Sequence, residues 1–485
     1  MLRGGLAGFV IALALVVAPG AGAATFTVDT EEDLLDANQV DGICAAASGE
    51  CSVRAAVMAA NGSPGLDDIQ IPAGTYELTQ APSDTPSSLE GDLDLDEAVV
   101  ITGAGSRETI IRQTVGDRVI LSNAVPAGLV PGALITGLTI TGGRITEPGN
   151  QLGGGVRVED YLLGIDDVTV RDNKILRTGA NSFGGGIAAM GPATIIVQNS
   201  KVSGNVVKYR SETGSAVGGG IFVEGDFAAG SSVSTVIDSE ITGNRAIVKG
   251  GGTGTGGGIY ARDPISIQRG VISQNRASEG GGVTFTQSLE SATVDSTTIS
   301  GNRAARGAGV NVSTDDPVSL TNTTISENRV IRGTERGGGA LHSTFGEITM
   351  SHVTIADNAS GKRKAIVFKP SSPGAVGLEM TGSIIDGPKK DCRGVGEDIT
   401  AELSVFGDSS CLPPSLTTNL VADPKLKPLA ANPGAFSTNL YGPTHMPKNS
   451  SPAIDFVSSG CPPPAQDQLG FARAAPCDAG AVERP

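Results

Sequence analysis

From about residue 66 to residue 390 the apolar positions come in short β-branched runs rather than in the long stripes that a helix buries. One stretch shows the unit: Gly282-Val283-Thr284-Phe285-Thr286, then Ala292-Thr293-Val294-Asp295-Ser296, then Thr298-Ile299-Ser300, each bounded by Gly, Ser or Asn. Three short strands per repeat predict one coil of a parallel β-helix, wound right-handed as parallel crossovers are. Helical repeats need apolar faces of about ten residues or more at a 3.6 period, which the Gly, Thr and Ser content forbids. A propeller would carry four strands and an aromatic signature per blade, and that signature is missing.

The repeat itself is marked by Ile/Val-x-x-Asn followed by a glycine cluster. The Asn residues are Asn173, Asn205, Asn244, Asn275, Asn302, Asn328 and Asn358, and the clusters include Gly184 to Gly186, Gly218 to Gly220, Gly256 to Gly258, Gly280 to Gly282 and Gly337 to Gly339. Self-similarity at roughly 30 residues signals a solenoid whose coil is constant and whose surface loops vary. In a parallel stack one residue recurs about every 4.8 Å, so each Asn amide can donate to one neighbour and accept from the other. Glycine supplies the corner conformations between strands. Both features are read as structural.

A stack of sheets has two open ends, and each must be covered. Cys51 to Gly62 is the best helix in the chain. Ser52 is placed to cap it, Val53, Ala56, Val57 and Ala60 form one apolar face, and Asn61-Gly62 stops it. It is expected to lie over the first coil. Asp68 to Ile71 and Thr75 to Thr79 then start the winding. The expected organisation is a signal peptide over residues 1–23, an N-terminal cap over 24–65, repeats over 66–390, and a Pro- and Cys-rich C-terminal cap over 391–485.

The first residues have the layout of an export signal: Arg3, an apolar stretch from Phe9 to Ala18, Pro19-Gly20, then Ala21-Gly22-Ala23. This A-x-A site places the start of the mature chain at Ala24. The apolar run is shorter than the ~20 residues of a membrane span, and no later segment is apolar enough to span. The protein is therefore expected to be secreted or at the cell surface, and monomeric. Six cysteines form three close pairs, Cys44 with Cys51, Cys392 with Cys411 and Cys461 with Cys477, and local disulfides are the expected connectivity. No C-x-x-C or H-x-x-x-H spacing suggests a metal site. The net charge of −16 argues against nucleic acid or anionic membrane as bulk partners. Trp is absent, which removes the broadest flat surface used to hold neutral sugars.

Cys51-Ser52-Val53-Arg54-Ala55-Ala56-Val57, followed by Ala60-Asn61 and Asp68-Ile69-Gln70-Ile71-Pro72-Ala73-Gly74-Thr75-Tyr76, resembles the CSLREA N-terminal motif of bacterial exported β-helix proteins. Ala55 departs from the motif's Glu, so the helix lacks half of a capping box. Ser451-Pro452-Ala453-Ile454-Asp455, Asp467-Gln468-Leu469-Gly470 and Cys477-Asp478-Ala479-Gly480-Ala481-Val482-Glu483 are similar to the choice-of-anchor Q domain, with Leu469 where Arg is usual. The resemblance implies an exported β-helix without assigned catalytic residues. No sorting tail follows Glu483, so a released or loosely held protein is expected. More weakly, the Gly-Gly-Gly-Ile and Ile-x-x-Asn repeats are similar to those of polymorphic outer-membrane adhesins, which suggests a surface-interaction role.

Two features hold candidate chemistry. Glu90-Gly91-Asp92-Leu93-Asp94-Leu95-Asp96-Glu97 alternates, placing Asp92, Asp94 and Asp96 on one strand face and Leu93 and Leu95 on the other. That face is read as solvated, with Ca²⁺ binding by the three carboxylates as the sharper alternative. Arg245, Arg276, Arg303 and Arg329 each follow a ladder Asn and should align along one edge, answered by Glu279, Glu327 and Glu335 or free to bind an anionic glycan. The acidic pairs Glu159-Asp160, Asp166-Asp167 and Asp315-Asp316 fall in loops of different coils. Gly252 to Gly257 fits G-x-G-x-x-G but lies in a glycine corner with no helix after it. His342, His352 and His445 have no nucleophile elbow to serve. The expected function is a non-catalytic scaffold that binds a glycan or protein through loops on one face; the alternative is a lyase or hydrolase of an acidic polysaccharide.

Overall fold

In the computed structural model the described residues are 23–484, apart from 83–88, 124–131, 147–150, 160–161, 178–180, 211–213, 226–232, 287–290, 332–336, 345, 359–364, 369–376, 388–389, 394–398, 413–416, 436–441 and 462. They form a parallel β-helix. Strands β1 (Thr25–Thr27) and β2 (Asp67–Ile71) open a first sheet of thirteen strands, β3 (Gly74–Leu78) opens a second of thirteen, and β4 (Leu93–Leu95) a third of eleven. Each coil adds one parallel strand to each sheet in turn.

Alternation explains the core. On the first sheet Ile69, Ile101, Ile135, Ile165, Val197, Val236, Ile267, Val294, Leu320, Met350, Met380 and Ala401 stand in successive register. All are buried. Each large member contributes about 1.5–3 kcal/mol of burial, so the stack is held mainly by aliphatic contacts along its axis.

The Asn ladder lies at the corner after the second sheet. Asn205 donates from its backbone N (2.9 Å) and its Nδ2 (3.0 Å) to Asn244 Oδ1, and the same pair of bonds links Asn173 to Asn205, Asn244 to Asn275, Asn275 to Asn302, Asn302 to Asn328 and Asn328 to Asn358. Each Nδ2 also reaches a strand carbonyl, as Asn244 reaches Val202. All seven residues are fully buried. The facing glycines are required by closeness: a Cβ on Gly220 would lie 2.7 Å from Gly258 O and 2.9 Å from Asn244 Nδ2.

In several coils the chain leaves this corner as a fin before entering the third sheet. Arg144–Ile145, Lys174–Arg177, Val206–Arg210 and Arg245–Lys249 form its outer sheet, and Gln151–Leu152, Ser182–Phe183, Ser215–Val217 and Thr253–Thr255 its returning sheet. A small second core, including Ile175, Val207, Tyr209 and Ala246, lies within the fin.

At the N-terminal end helix α1 (Val53–Asn61) covers the first coil, with Val53, Ala56, Val57 and Ala60 in the main core. Ser52 Oγ accepts from Ala55 N (3.0 Å) and donates to Leu34 O (2.7 Å), which ties the cap to the leading segment. Cys44–Cys51 brackets the helix start. Arg54 is fully buried, ion-paired to Asp33 at 2.6 Å and donating to Asp92 O and Gly91 O.

At the other end the winding passes the expected boundary at 390. Cys392–Arg393, Ile399–Glu402, Val405–Phe406 and Leu420–Val421 still extend the three sheets, and Cys392–Cys411 closes this last stretch. Strands of two to four residues are hidden there by the Pro- and Cys-rich composition. The tail, held by Cys461–Cys477, then runs back along the outer face of the second sheet. Thr298 Oγ1 donates to Pro443 O (2.9 Å), Gln468 Nε2 donates to Thr298 Oγ1 (2.8 Å), and Ala481 N donates to Thr354 Oγ1 (2.9 Å). Among the described residues no helix is long and apolar enough to cross a membrane.

Candidate functional site

From Asn173 to Asn328 the residue after each ladder Asn points outward, because alternation turns a neighbour of a buried side chain towards solvent. Those residues stand in register from coil to coil: Arg144 on Lys174, Lys174 on Val206, Val206 on Arg245, Arg245 on Arg276, Arg276 on Arg303 and Arg303 on Arg329. Backbone bonds lock the row, since Arg245 N donates to Asn205 O, Arg276 N to Asn244 O, Arg303 N to Asn275 O and Arg329 N to Asn302 O at 2.8–2.9 Å. Six of the seven positions are cationic and exposed, and Val206 is half-buried. At a strand spacing of about 4.8 Å the row is roughly 29 Å long. Lys208, Arg210 and Lys249 extend it sideways on the fin, with Arg210 in register with Lys249.

None of these nine cations forms an ion pair among the described residues, although salt bridges elsewhere engage Arg112, Arg171, Lys201, Arg262 and Arg269. Of the acids expected to answer the row, the two that are described do not. Glu279 pairs with Arg306 at 3.2 Å, and Glu335 lies outside the described residues. Glu327 is exposed two positions before Arg329 and has no ion pair there.

Lys174 and Arg144 belong to the row but were not among the arginines picked out from sequence. Lys174 directly follows Asn173, so its signal was present in the pattern. Arg144 follows Gly143, which stands where the other coils carry Asn; Gly143 N donates to Asn173 Oδ1 at 2.9 Å, and only this register identifies the position.

The acidic run differs from its expected solvated face. Leu93 and Leu95 are in the core, but Asp92 is only 8% exposed and Asp94 is fully buried. The first coil is roofed by the cap and by neighbouring chain, which alternation alone does not reveal. Asp92 Oδ2 meets Arg118 Nε at 2.7 Å, whereas Asp96 Oδ1 accepts from Asn123 Nδ2 at 2.7 Å. Asp92 and Asp96 thus turn to different partners, and among the described residues the three carboxylates are not a group whose oxygens converge as Ca²⁺ needs. Burial, opposed by Arg118 and aided by Asp117, pushes the Asp92 carboxyl up to about 6. Burial, reinforced by Asp92 and Asp96, pushes Asp94 up to about 8.

The remaining candidates are dispersed. Glu159 pairs with Arg157; Asp166 accepts from Asn199 Nδ2 at 2.8 Å, Asp167 from Ser106 Oγ at 3.0 Å, and Asp316 from Thr314 Oγ1 at 2.8 Å. Asp160 lies outside the described residues. His352 lies 3.5 Å from Cys477 Sγ, and burial, then Arg473, lowers its pKa to about 3. Cys461 and Cys477 lie beside it, but their sulfurs are bonded to each other and are not free to ligate. His445 Nε2 lies 2.7 Å from Ser326 Oγ under the tail. Gly252 to Gly257 spans the fin strand Thr253–Thr255 and a corner, and a strand follows.

No family model and no curated protein sequence matches this chain. Among solved structures it is similar to a pectate lyase, with 11% identity, a TM-score of 0.46, and coverage of 97% of this chain and 98% of that one. It is also similar to the A-module of a mannuronan C-5 epimerase from Azotobacter vinelandii, at 16% identity and a TM-score of 0.36 over 79% of this chain and 99% of that one. A third is the catalytic domain of an α-1,3-glucanase, at 14% identity and a TM-score of 0.39 over 81% and 69%.

Proposed function

We propose that this chain is an extracellular β-helix scaffold that holds a linear acidic polysaccharide along the cationic row. The observation that carries this reading is six exposed cations at six of seven consecutive register positions, interrupted only by Val206 and without ion pairs among the described residues, on a chain of net charge −16. Neighbouring like charges at strand spacing cost up to roughly 1 kcal/mol each in water, so the bare row is electrostatically unfavourable. An extended polymer bearing one anionic group per sugar relieves that repulsion. Five of the six cations are Arg, whose planar fork suits a carboxylate better than the point charge of Lys. The three disulfides fit an oxidising compartment outside the cytosol.

The test is binding of a polyuronate, a sulfated glycan, a neutral glucan and DNA at rising salt. The expected result is polyuronate binding that weakens with salt, with no binding of the glucan. Equal affinity for the neutral polymer, or an unchanged polyuronate affinity after charge reversal at Arg276 and Arg303, overturns the reading.

A second reading, cleavage of the polymer, is supported by Asp92, Asp94 and Arg118, because two carboxyls with pKa values held apart by their surroundings suit acid and base roles. The full burial of Asp94 keeps this second, since a catalytic group must reach substrate. Release of sugar ends by the wild type, abolished in Asp94→Asn, would bring it forward. Membership of the CSLREA class of exported β-helix proteins is likewise proposed. Its support is that the motif's Ser52 caps α1 and its Arg54 is buried on Asp33.

A further inference from the structure

Ala24 immediately precedes β1, and its backbone N donates to Asp67 Oδ1 at 2.7 Å while its carbonyl accepts from Asp68 N at 2.9 Å. Asp67 is fully buried. Its other oxygen, Oδ2, makes no hydrogen bond of good geometry among the described residues. Burial raises the Asp67 carboxyl, and the Ala24 amide and then the Ser63 hydroxyl only partly oppose this. A neutral N–H and a hydroxyl are a poor match for a buried carboxylate, which ordinarily calls for a cation.

The sequence places that cation at the same atom. Ala21-Gly22-Ala23 marks the bond between Ala23 and Ala24 for export processing. A leader peptidase adds water across this amide, leaving a carboxylate on Ala23 and an amine on Ala24 that takes up a proton at neutral pH. The nitrogen already at 2.7 Å from Asp67 then becomes an ammonium with three donors.

We infer that Asp67 is the receptor for the α-ammonium of processed Ala24, so that cleavage converts a neutral hydrogen bond at the edge of the first coil into a partly buried ion pair. The consequence is local. β1 carries Phe26 into the core, Val28 just after it is buried too, and the following Asp29 accepts from Cys51 N at 2.7 Å, so the pair anchors both the first sheet's edge strand and the cap. Before cleavage this edge is held less firmly, which suits a chain that must cross a membrane unfolded. After cleavage the cap is locked.

The test compares the chain starting at Ala24 with one carrying extra residues before Ala24, each as wild type, Asp67→Asn and Asp67→Ala. Asn keeps an acceptor for the Ala24 N–H, so that variant retains the local geometry. The first readout is acylation of the α-amine at neutral pH. An ammonium held by a carboxylate is deprotonated about tenfold less for each unit its pKa rises, so the wild type should acylate at least about tenfold more slowly than Asp67→Asn. The second is thermal unfolding. A free terminus should raise the midpoint of the wild type but not of either variant, and the gain should fade below about pH 4 and above about pH 8, where one partner loses its charge. Equal acylation rates, an equal gain in the Asn variant, or an exported chain whose N-terminus is not Ala24 would each overturn the inference.

Discussion

Asn205 and Asn244 are joined by two hydrogen bonds to one oxygen, the backbone N and Nδ2 of the first both meeting Oδ1 of the second. Replacing Asn244 with Ala therefore removes the acceptor shared by two buried donors on Asn205, and the side-chain donor to the Val202 carbonyl. Each such loss costs about 1–3 kcal/mol, so Asn244→Ala should destabilise the protein by roughly 3 kcal/mol or more. Denaturant unfolding of the variant checks this; a change under about 1 kcal/mol would show that the ladder is dispensable.

On the cationic row, affinity and stability should move in opposite directions. Arg276→Glu with Arg303→Glu should weaken polyuronate binding at least tenfold and flatten its salt dependence. The same changes should leave stability unchanged or slightly higher, since the row has no ion pairs to lose among the described residues. Parallel losses of binding and stability would instead indicate a structural role.

Asp94 gives the protein an inverted pH response. Its folded pKa of about 8 lies above the unfolded value near 3.9, so the native state holds the proton more tightly. Stability should therefore fall as pH rises between those values, and Asp92, raised to about 6, acts in the same direction over its lower range. Asp94→Asn should be more stable than the wild type at pH 8 to 9 and show a shallower slope. Denaturation series across pH decide the point, and a wild-type stability that climbs steadily with pH through this range would refute it.

The cap rests on a buried charge pair. Arg54→Ala strands Asp33, whose side chain is 1% exposed, and removes donors from Asp92 O and Gly91 O. A loss of roughly 3–5 kcal/mol is expected, with protease sensitivity appearing first near β1 and α1. Val57→Asp should expose the first coil edge and cause aggregation, and sedimentation will show whether it stays soluble.

The coil could be read from sequence because its determinants are local and repeated: a β-branched strand, an inward Asn at one corner, and glycines where the next coil passes too close for a Cβ. Helix α1 was legible for the same reason, through Ser52 and one apolar face. The cationic row was only partly visible. Four arginines follow ladder Asn residues, but intervals of 26 to 39 residues between those Asn blur the register, and Gly143 breaks the marker that would have pointed to Arg144.

The linear sequence thus determined the architecture, since each coil repeats the same alternation and stacks on its predecessor. Tertiary structure decided the environment of the charges. Alternation says which face Asp92 and Asp94 share, but not that chain from elsewhere buries it; composition says that Gln468 lies in a polar tail, but not that it crosses 170 positions to reach Thr298. Burial depends on what returns in space to cover a residue. That is why one acidic stretch is desolvated and proton-binding, while a row of arginines on a strongly acidic chain stays exposed and without ion pairs among the described residues.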